Sequence, residues 1–329
     1  MGKKINLVGV DVGSKELVVA MKKDNTVVHA TFDNTKSGHK KLLKFVTKNK
    51  SNAKVCMEAT GIYHFDLAVM LSNSDLVEVM VVNPKAIKHF GTAMMQRTKT
   101  DQVDSGVILE YLCRMDFTPW VCPNDNILQI QCLSRRLFQL KKQITQEQNR
   151  LHATEFRGNV GNAIKKSINK HVNFMQKNID DIQYELSSLI KSIPELKSKY
   201  DLLVSAKGLA DVSATQILAE ILMLPDGLEG KQWVAFAGLD PKATESGTSV
   251  NKPRRITKHG NKYLRASLYM PALVAIQHEA NVRAYYEKLV NAGKPKMSAI
   301  VAVMRKLLLA IWGMLNSGTK WQGERFCKI

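Results

Sequence analysis

The chain is poor in the features that mark a secreted, metal-finger or membrane protein. Its five cysteines, Cys56, Cys113, Cys122, Cys132 and Cys327, form no Cys-x-x-Cys pair, and their number is odd. A disulfide framework or a structural zinc site is therefore not expected, and a reducing, cytoplasmic setting fits. No long apolar run follows the lysines of Met1-Gly2-Lys3-Lys4-Ile5, so no signal peptide is expected. The most membrane-like stretch, Met297 to Leu315, carries Arg305 and Lys306 at its middle. Two charges there are costly in a bilayer, and the stretch reads as a buried or amphipathic helix. Acidic residues are also scarce: 29 Asp and Glu stand against 48 Lys and Arg, a net charge of +19. Such an excess suits a polyanionic partner, because counterion release drives Lys and Arg onto phosphates.

With 45% hydrophobic and 23% charged residues over 329 positions, the chain has the composition of a folded protein of two or three domains. The amino-terminal part alternates strands and helices. Ile5 to Asp11 reads as a strand, Gly13 and Ser14 as a turn, Leu17 to Met21 as the returning strand and Thr26 to Phe32 as a third β segment. A helix is expected over Ser37 to Lys48, a strand over Lys54 to Glu58, a helix over Tyr63 to Leu71 and a strand over Val77 to Val82. This is an α/β domain with a mixed sheet, over residues 1–125.

From about Ile127 the period changes. Leu133, Leu137, Leu140 and Ile144 form one heptad-like seam, and Ile179, Ile182, Leu186, Leu189 and Ile193 form another. Residues 126–200 are expected to be a helical coiled-coil region broken near Gly158 and Gly161, read equally as a self-association surface or as two core-facing helices. Residues 201–329 are mostly helical, with a loop-rich middle over Phe236 to Lys258. Leu202 to Ile221 suggests a helix-hairpin-helix with Gly208-Leu209-Ala210 in its turn. Net charge is +4 over residues 1–125, +7 over 126–200 and +8 over 201–329. Much of the polyanion gripping is accordingly expected in the helical parts.

Four acids stand out. Asp11 ends the first strand before a turn, and Glu58 ends a later strand. Asp101 and Asp104 are three apart, which places them on one face of a helix expected to begin at Asp104. Clustered carboxylates repel unless a cation offsets them, and hard Mg²⁺ prefers carboxylate oxygens. Two such ions can activate a nucleophile and stabilise the leaving oxygen in phosphodiester cleavage. Each acid alone has a plainer reading as a turn former or helix cap. The Asp11-Val12-Gly13-Ser14-Lys15 turn also fits the phosphate-binding hairpin of actin-like ATPases and sugar kinases. That reading predicts neither the Asp-x-x-Asp pair nor the positive charge.

A second constellation lies near the carboxyl terminus. Ser246-Gly247 sits in a glycine- and proline-punctuated segment, followed by Lys252, Arg254, Arg255, Lys258, Lys262 and Arg265 with no intervening acid. Those cations suit phosphate binding. Ser246 can serve as a covalent nucleophile, and by chemistry alone Ser249 is its equal. His259 reads as a phosphate contact or a surface residue.

Taken together these residues resemble the IS110 family of transposases, nearly end to end. Asp11, Glu58 and Lys99-Thr100-Asp101-Gln102-Val103-Asp104 match in order the Asp-Glu-Asp-Asp set of its RuvC-like, RNase H-fold domain. Gly238 to Pro241, Ser246-Gly247 and Ile256 to Arg265 match the motifs of its transposase domain, and Ser246 takes the place of the catalytic serine. The resemblance implies a DNA recombinase that excises and inserts its element by Mg²⁺-dependent strand cleavage, with two ions for which Mn²⁺ can substitute. Asp11, Glu58, Asp101 and Asp104 would hold the metal, and Ser246 would form a phosphoserine intermediate. It also implies element-end and target DNA, a structured element-encoded guide RNA, and a dimer or tetramer in which serine and acids of different protomers meet. The departures are Ala210 in the hairpin turn and Glu245 beside Ser246. A Holliday-junction nuclease using the four acids alone is the alternative, and a non-catalytic nucleic-acid-binding protein a further one.

Overall fold

The computed structural model describes residues 5–23, 26–59, 61–96, 98, 100–155, 161–246 and 250–328, without the side chains of residues 155, 243–246 and 250–254. Arg97, Lys99, Gly158, Gly247 and Ser249 lie outside the described residues. The chain forms two compact units, Met1–Cys122 and Pro123–Ile329.

The first unit runs β1 (Ile5–Val12), β2 (Glu16–Lys23), β3 (Thr26–Asp33), α1 (Lys36–Val46), β4 (Asn52–Glu58), α2 (Phe65–Ser72), β5 (Val77–Val82), α3 (Pro84–Ala93) and α4 (Asp101–Arg114). The sheet order is β3-β2-β1-β4-β5. β1, β2 and β3 pair antiparallel, whereas β4 and β5 run parallel to β1. This is the mixed sheet expected of an RuvC-like domain. Side-chain alternation divides its two faces. Val8, Val10, Val12, Val55 and Met57 pack with Leu42 and Val46 of α1 and Leu67 and Leu71 of α2. Cys56, Met80 and Val82 point the other way, toward Ile87 of α3 and Val107, Ile108 and Leu112 of α4. Each fully buried side chain of this kind contributes about 1.5–3 kcal/mol.

The second unit is mostly helical. It contains α5 (Asp125–Glu155), α6 (Asn162–Ser192), α7 (Pro194–Val204), α8 (Asp211–Ile221), α9 (Gly230–Ala237), β6 (Pro241–Ser246) and β7 (Val250–Ile256). Five helices follow: α10 (Lys262–Ser267), α11 (Tyr269–His278), α12 (Ala280–Asn291), α13 (Lys296–Ser317) and α14 (Gly323–Phe326). Of the seam residues, Leu137, Leu140 and Ile144 of α5 and Ile179 and Leu186 of α6 are buried in one core with the helices downstream, and Leu133, Ile182, Leu189 and Ile193 pack against it partly buried. These positions are thus covered within the chain itself. Helix α13 is long and apolar enough, by length and composition, to cross a membrane. Its Val303, Leu307, Leu308 and Ile311 are instead buried in the same core.

Two local expectations are corrected. The segment expected to be loop-rich contains the β6–β7 hairpin, with a register irregularity between Lys242 and Thr244. Pro253 removes a strand N–H, which a two-stranded ribbon tolerates on its outer edge. Helix α4 begins at Asp101, three residues early, because Thr100 caps it by accepting from the Val103 N–H at 3.3 Å.

In the hairpin between α7 and α8, Gly208 has φ +100°, and a Cβ there would lie 2.6 Å from the Pro271 carbonyl oxygen of α11. The glycine therefore allows close helix packing. Beside it, Asp211 ties α6, α7 and α8 together. Its carboxylate accepts hydrogen bonds from Gln183 Nε2 at 3.0 Å, Ser187 Oγ at 2.9 Å, Lys191 Nζ at 2.9 Å and Tyr200 Oη at 2.7 Å. Burial opposes its ionisation. The hydrogen bonds from Lys191, Tyr200, Ser187 and Gln183 outweigh burial and hold it at about 2, below its ordinary 3.8. A depressed carboxyl stabilises the fold above its unfolded pKa, and this contribution is lost as pH falls through the folded value. The side chain is 38% exposed, so solvent screening reduces the effect to about 1 kcal/mol. Asp211→Asn is expected to lower stability by that amount at neutral pH. In urea titrations its deficit against the parent should shrink as pH falls from 3.8 toward about 2.

Candidate functional site

The acidic centre is built by register. Gly9 pairs with Cys56 and Val10 with Met57 across the parallel β1–β4 ladder, so one residue further Asp11 comes opposite Glu58. Asp11 shares its face with Leu7 and Gly9, and Glu58 shares its face with Cys56. That is the face on which α4 packs. The first turn of α4 carries Asp101 and Asp104.

Helix α4 reaches β1 closely because of Gly9. A Cβ on this glycine would lie 2.4 Å from the Leu109 backbone nitrogen and 2.5 Å from the Ser105 carbonyl oxygen. Ser105 is fully buried at this contact. Gly9 thus sets the distance between the element carrying Asp11 and the element carrying the aspartate pair. Residue-by-residue reading of the sequence marked Gly9 only as part of a strand.

Electrostatically, Asp11 feels the other three acids. Asp11 is pushed up to about 6 from its ordinary 3.8, first by burial and then by the negative charges of Asp104, Asp101 and Glu58, partly offset by the Val12 backbone hydrogen bond. Among the described residues, no three His, Cys, Asp or Glu side chains are gathered tightly enough to hold one metal ion. Unscreened carboxylates repel one another. The donor set, oxygen only and rich in negative charge, fits a hard divalent cation. Cys56, on the same face, is a core residue, and burial pushes its thiol up to about 12.

The loops that continue from Asp11 and Glu58 are fastened to each other by Asn34. Its Nδ2 donates to the Gly13 carbonyl at 2.9 Å and to the Tyr63 carbonyl at 3.1 Å. Its Oδ1 lies 2.7 Å from Nε2 of His39, which is buried. Burial holds His39 below its ordinary pKa, against a smaller upward pull from Asp66. The neutral ring can then donate through Nε2. Asn34 carries no local signal of this role, because the two carbonyls it fastens lie 21 and 29 residues away on the backbone.

In the second unit, Ser246 ends β6 and pairs with Val250 of β7. The side chains of Ser246, Lys252 and Arg254 lie outside the described part, as does all of Ser249. Arg255, Lys258, His259 and Lys262 are exposed, whereas Arg265 is half-buried. Arg265 Nη1 donates to the Ala237 carbonyl at 2.7 Å, so this cation holds the hairpin's base. The segment 257–261 is stitched to 236–240. The Lys258 N–H donates to the Gly238 carbonyl at 3.1 Å, and Thr257 Oγ1 donates to Asp240 Oδ1 at 2.6 Å. Gly260 admits no side chain, since its Cβ would lie 2.0 Å from the Phe236 carbonyl oxygen.

This clasp rests on a buried carboxylate. Glu220 is 1% exposed and accepts from Arg135 Nε at 2.9 Å, Arg135 Nη2 at 3.0 Å and Asn261 Nδ2 at 2.6 Å. Asn261 Oδ1 in turn caps α10 by accepting from the Tyr263 and Leu264 N–H groups. Arg135 lies over the Tyr263 ring, 4.8 Å from its centroid.

Comparison with known proteins follows this geometry. Residues 8–154 match a transposase family model of the IS110 DEDD type, and residues 200–287 match the model described as transposase, IS116/IS110/IS902 family. The pilin gene-inverting protein of Moraxella bovis is 26% identical over 313 residues, covering 94% of this chain and 95% of its own. Its namesake from Moraxella lacunata matches with the same identity and coverage. An insertion element IS900 uncharacterized 42 kDa protein from Mycobacterium paratuberculosis is 34% identical over 80 residues, covering 24% of this chain and 20% of its own.

Two substitutions test the supports of these sites. Gly9→Ala is expected to cost about 1–3 kcal/mol through overpacking against the α4 backbone. It should also slow DNA cleavage about tenfold or more by displacing Asp101 and Asp104. Gly106→Ala, whose Cβ would meet nothing within 4 Å, is the silent control. Glu220→Ala removes one partner of a buried charge pair and should lower unfolding free energy in denaturant by about 3–5 kcal/mol.

Proposed function

The chain belongs to the IS110 family of transposases and is a DNA transposase/recombinase, and we propose that it cuts and rejoins DNA through a serine–phosphate intermediate with divalent-metal assistance. The observation that carries the metal half is the shared electrostatic field of Asp11, Glu58, Asp101 and Asp104. The serine half is supported by the match of the second family model, which spans Ser246 and the cations from Lys252 to Arg265.

In this reading Asp11, Glu58, Asp101 and Asp104 hold Mg²⁺, with Mn²⁺ as a substitute. When bound, the metal supplies Lewis-acid stabilisation of charge on the phosphate oxygens and on the leaving oxygen. The four carboxylates would hold that ion at the cleavage site. Ser246 Oγ attacks phosphorus; its proton passes through solvent to the departing sugar oxygen, the Oγ–P bond forms and the P–O bond to one DNA strand breaks. A second DNA end then attacks the phosphoserine, restores a phosphodiester and frees the serine. No bond energy is lost to water, so exchange needs no external energy source.

Lys252, Arg254, Arg255, Lys258 and Lys262 provide phosphate contacts along the hairpin and the loop after it. They also offset Glu245, which would otherwise repel the attacked phosphate. Arg265 contributes by bracing that loop against Ala237. DNA is the substrate of the family, and an element-encoded structured RNA is the second nucleic acid we assign, on the strength of the resemblance. Inversion of a DNA segment, the activity in the Moraxella proteins' name, requires the same cleavage and exchange with the ends arranged differently. A dimer or tetramer, acting in the cytoplasm at the nucleoid, supplies the several strands to be exchanged. Domain limits of 1–125, 126–200 and 201–329 describe the proposed division into nuclease, coiled-coil and serine-bearing parts.

The decisive experiment is mass spectrometry after incubation with element-end DNA and Mg²⁺. A nucleotide attached to Ser246 is expected. Ser246→Ala should abolish the adduct and strand transfer, and Asp104→Asn should abolish cleavage. A junction nuclease that uses the acids alone would still cut after Ser246→Ala, and an adduct on Ser249 would move the nucleophile.

A further inference from the structure

Between Asp33 and Glu58 the chain contains seven lysines and no acidic residue. Six of them, Lys36, Lys40, Lys41, Lys44, Lys48 and Lys50, are exposed on α1 and on the short turn after it. The seventh, Lys54, is engaged, 3.5 Å from Glu78 and over the Phe117 ring. None of the six makes an ion pair among the described residues. The opposite face of α1 is apolar or tightly packed, with Gly38, His39, Leu42 and Val46 buried. Lys36, Lys40, Lys44 and Lys48 advance four residues at a time. A helix rises 1.5 Å per residue, so an ammonium recurs about every 6 Å along its flank. Like charges at that spacing destabilise a helix, and no acid on α1 offsets them.

We propose that this lysine face is a docking surface for the phosphate backbone of duplex DNA, distinct from the acidic centre and from the basic hairpin of the second unit. Three features select that ligand. The chain is a DNA recombinase, and a row of uncompensated cations complements a polyanion whose condensed counterions are released on binding. Lysine is a point charge on a flexible stem, suited to holding a backbone without reading bases. The exposed face lacks the aromatic platform on which single strands stack, since Phe45 is turned toward Phe32 with ring centroids 5.6 Å apart.

The position of α1 gives this contact a consequence. Asn34, two residues before the helix, bonds to Gly13 beyond Asp11 and to Tyr63 beyond Glu58. Gly38 presses the first turn onto the end of β3, where a Cβ would lie 1.9 Å from the Asp33 carbonyl oxygen. The lysine row is therefore fixed relative to the loops of the acidic centre. A duplex held on α1 is held at a constant offset from the carboxylates.

The test is binding of a random-sequence duplex to the full chain carrying Asp104→Asn, in chelator and across a salt series. Those conditions remove cleavage, so the result is independent of Ser246 and of metal. The quadruple change Lys36→Gln, Lys40→Gln, Lys44→Gln and Lys48→Gln should weaken binding at least about tenfold. It should also lower the slope of log affinity against log salt by about 2 to 4, at about 0.9 per lost phosphate contact. The matching Lys→Arg quartet should retain affinity within about twofold, because the charge is kept. Unfolding temperature of the Gln quartet should not fall, since all four side chains are exposed and their mutual repulsion is relieved. Parental affinity and slope in the Gln quartet would overturn the proposal. Loss of binding to a structured RNA with duplex binding intact would overturn it as well.

Discussion

Repulsion between carboxylates is the constraint to which the first unit is built. Asp11 is pushed to about 6 from 3.8, first by its burial and then by the charges of Asp104, Asp101 and Glu58, acids carried on three elements. At about 1.4 kcal/mol per unit, burial and repulsion together weigh on the order of 3 kcal/mol against full ionisation of this one group. Left to themselves, β1, β4 and α4 would not bring these charges together. The apolar cluster of Cys56, Met80, Val82, Val107, Ile108 and Leu112 does so, by seating α4 on the sheet. Gly9 permits the approach, and the cap at Thr100 directs the first turn of α4 so that Asp101 and Asp104 point the same way. In the proposed reading, a hard cation held by these acids would relieve a cost of burial and repulsion that folding has already met.

The second unit solves a different problem, which is to hold a strongly basic hairpin still. Six cations between Lys252 and Arg265 repel one another just as the acids do. The anchor beneath them is a buried carboxylate, Glu220, which fixes Arg135 and Asn261 and thereby the start of α10. The glycines at 238 and 260 allow two backbone segments to lie closer than any side chain would permit, and Arg265 closes the base. The hairpin that ends in Ser246 emerges from this clasp. The nucleophile proposed at Ser246 would have to be placed to within fractions of an ångström, and backbone stitching below the hairpin would serve that requirement better than a free loop.

Much of this was legible in the sequence, and the reasons for the rest are physical. Strand ends at Asp11 and Glu58 were marked by apolar runs meeting glycine, and the spacing of Asp101 and Asp104 placed both on one helical face. The start of α4 was misjudged because Asp104 was weighed as the first helical residue without the cap at Thr100. The β6–β7 hairpin was hidden because its strands, Pro-Lys-Ala-Thr-Glu-Ser and Val-Asn-Lys-Pro-Arg-Arg-Ile, lack a clean apolar alternation and contain proline. Gly9, Asn34 and Glu220 were invisible for a common reason. Each acts through backbone atoms or partners tens of residues away, so no local pattern distinguishes Gly9 from any strand glycine or Glu220 from any helical glutamate.

Charge totals concealed a further device. A net +4 over residues 1–125 suggests a nearly indifferent surface, yet the first unit carries both an acidic centre and an uncompensated lysine row. At physiological salt the screening length is about 8 Å. Mixed on one face, these groups would pair and cancel, leaving neither a cation site nor a phosphate grip. The sheet prevents this. The acids lie on the side covered by α3 and α4, whereas α1 packs on the side of Val8, Val10 and Val12. The two sets of charges therefore belong to opposite sides of one sheet. Near the ends of β1, β3 and β4, Asn34 links the loops of the two sides. The strand order β3-β2-β1-β4-β5 thus keeps opposite charges apart while fixing their relative position. An enzyme that must attract a polyanion and still present anions of its own to the same phosphate chain needs both properties at once.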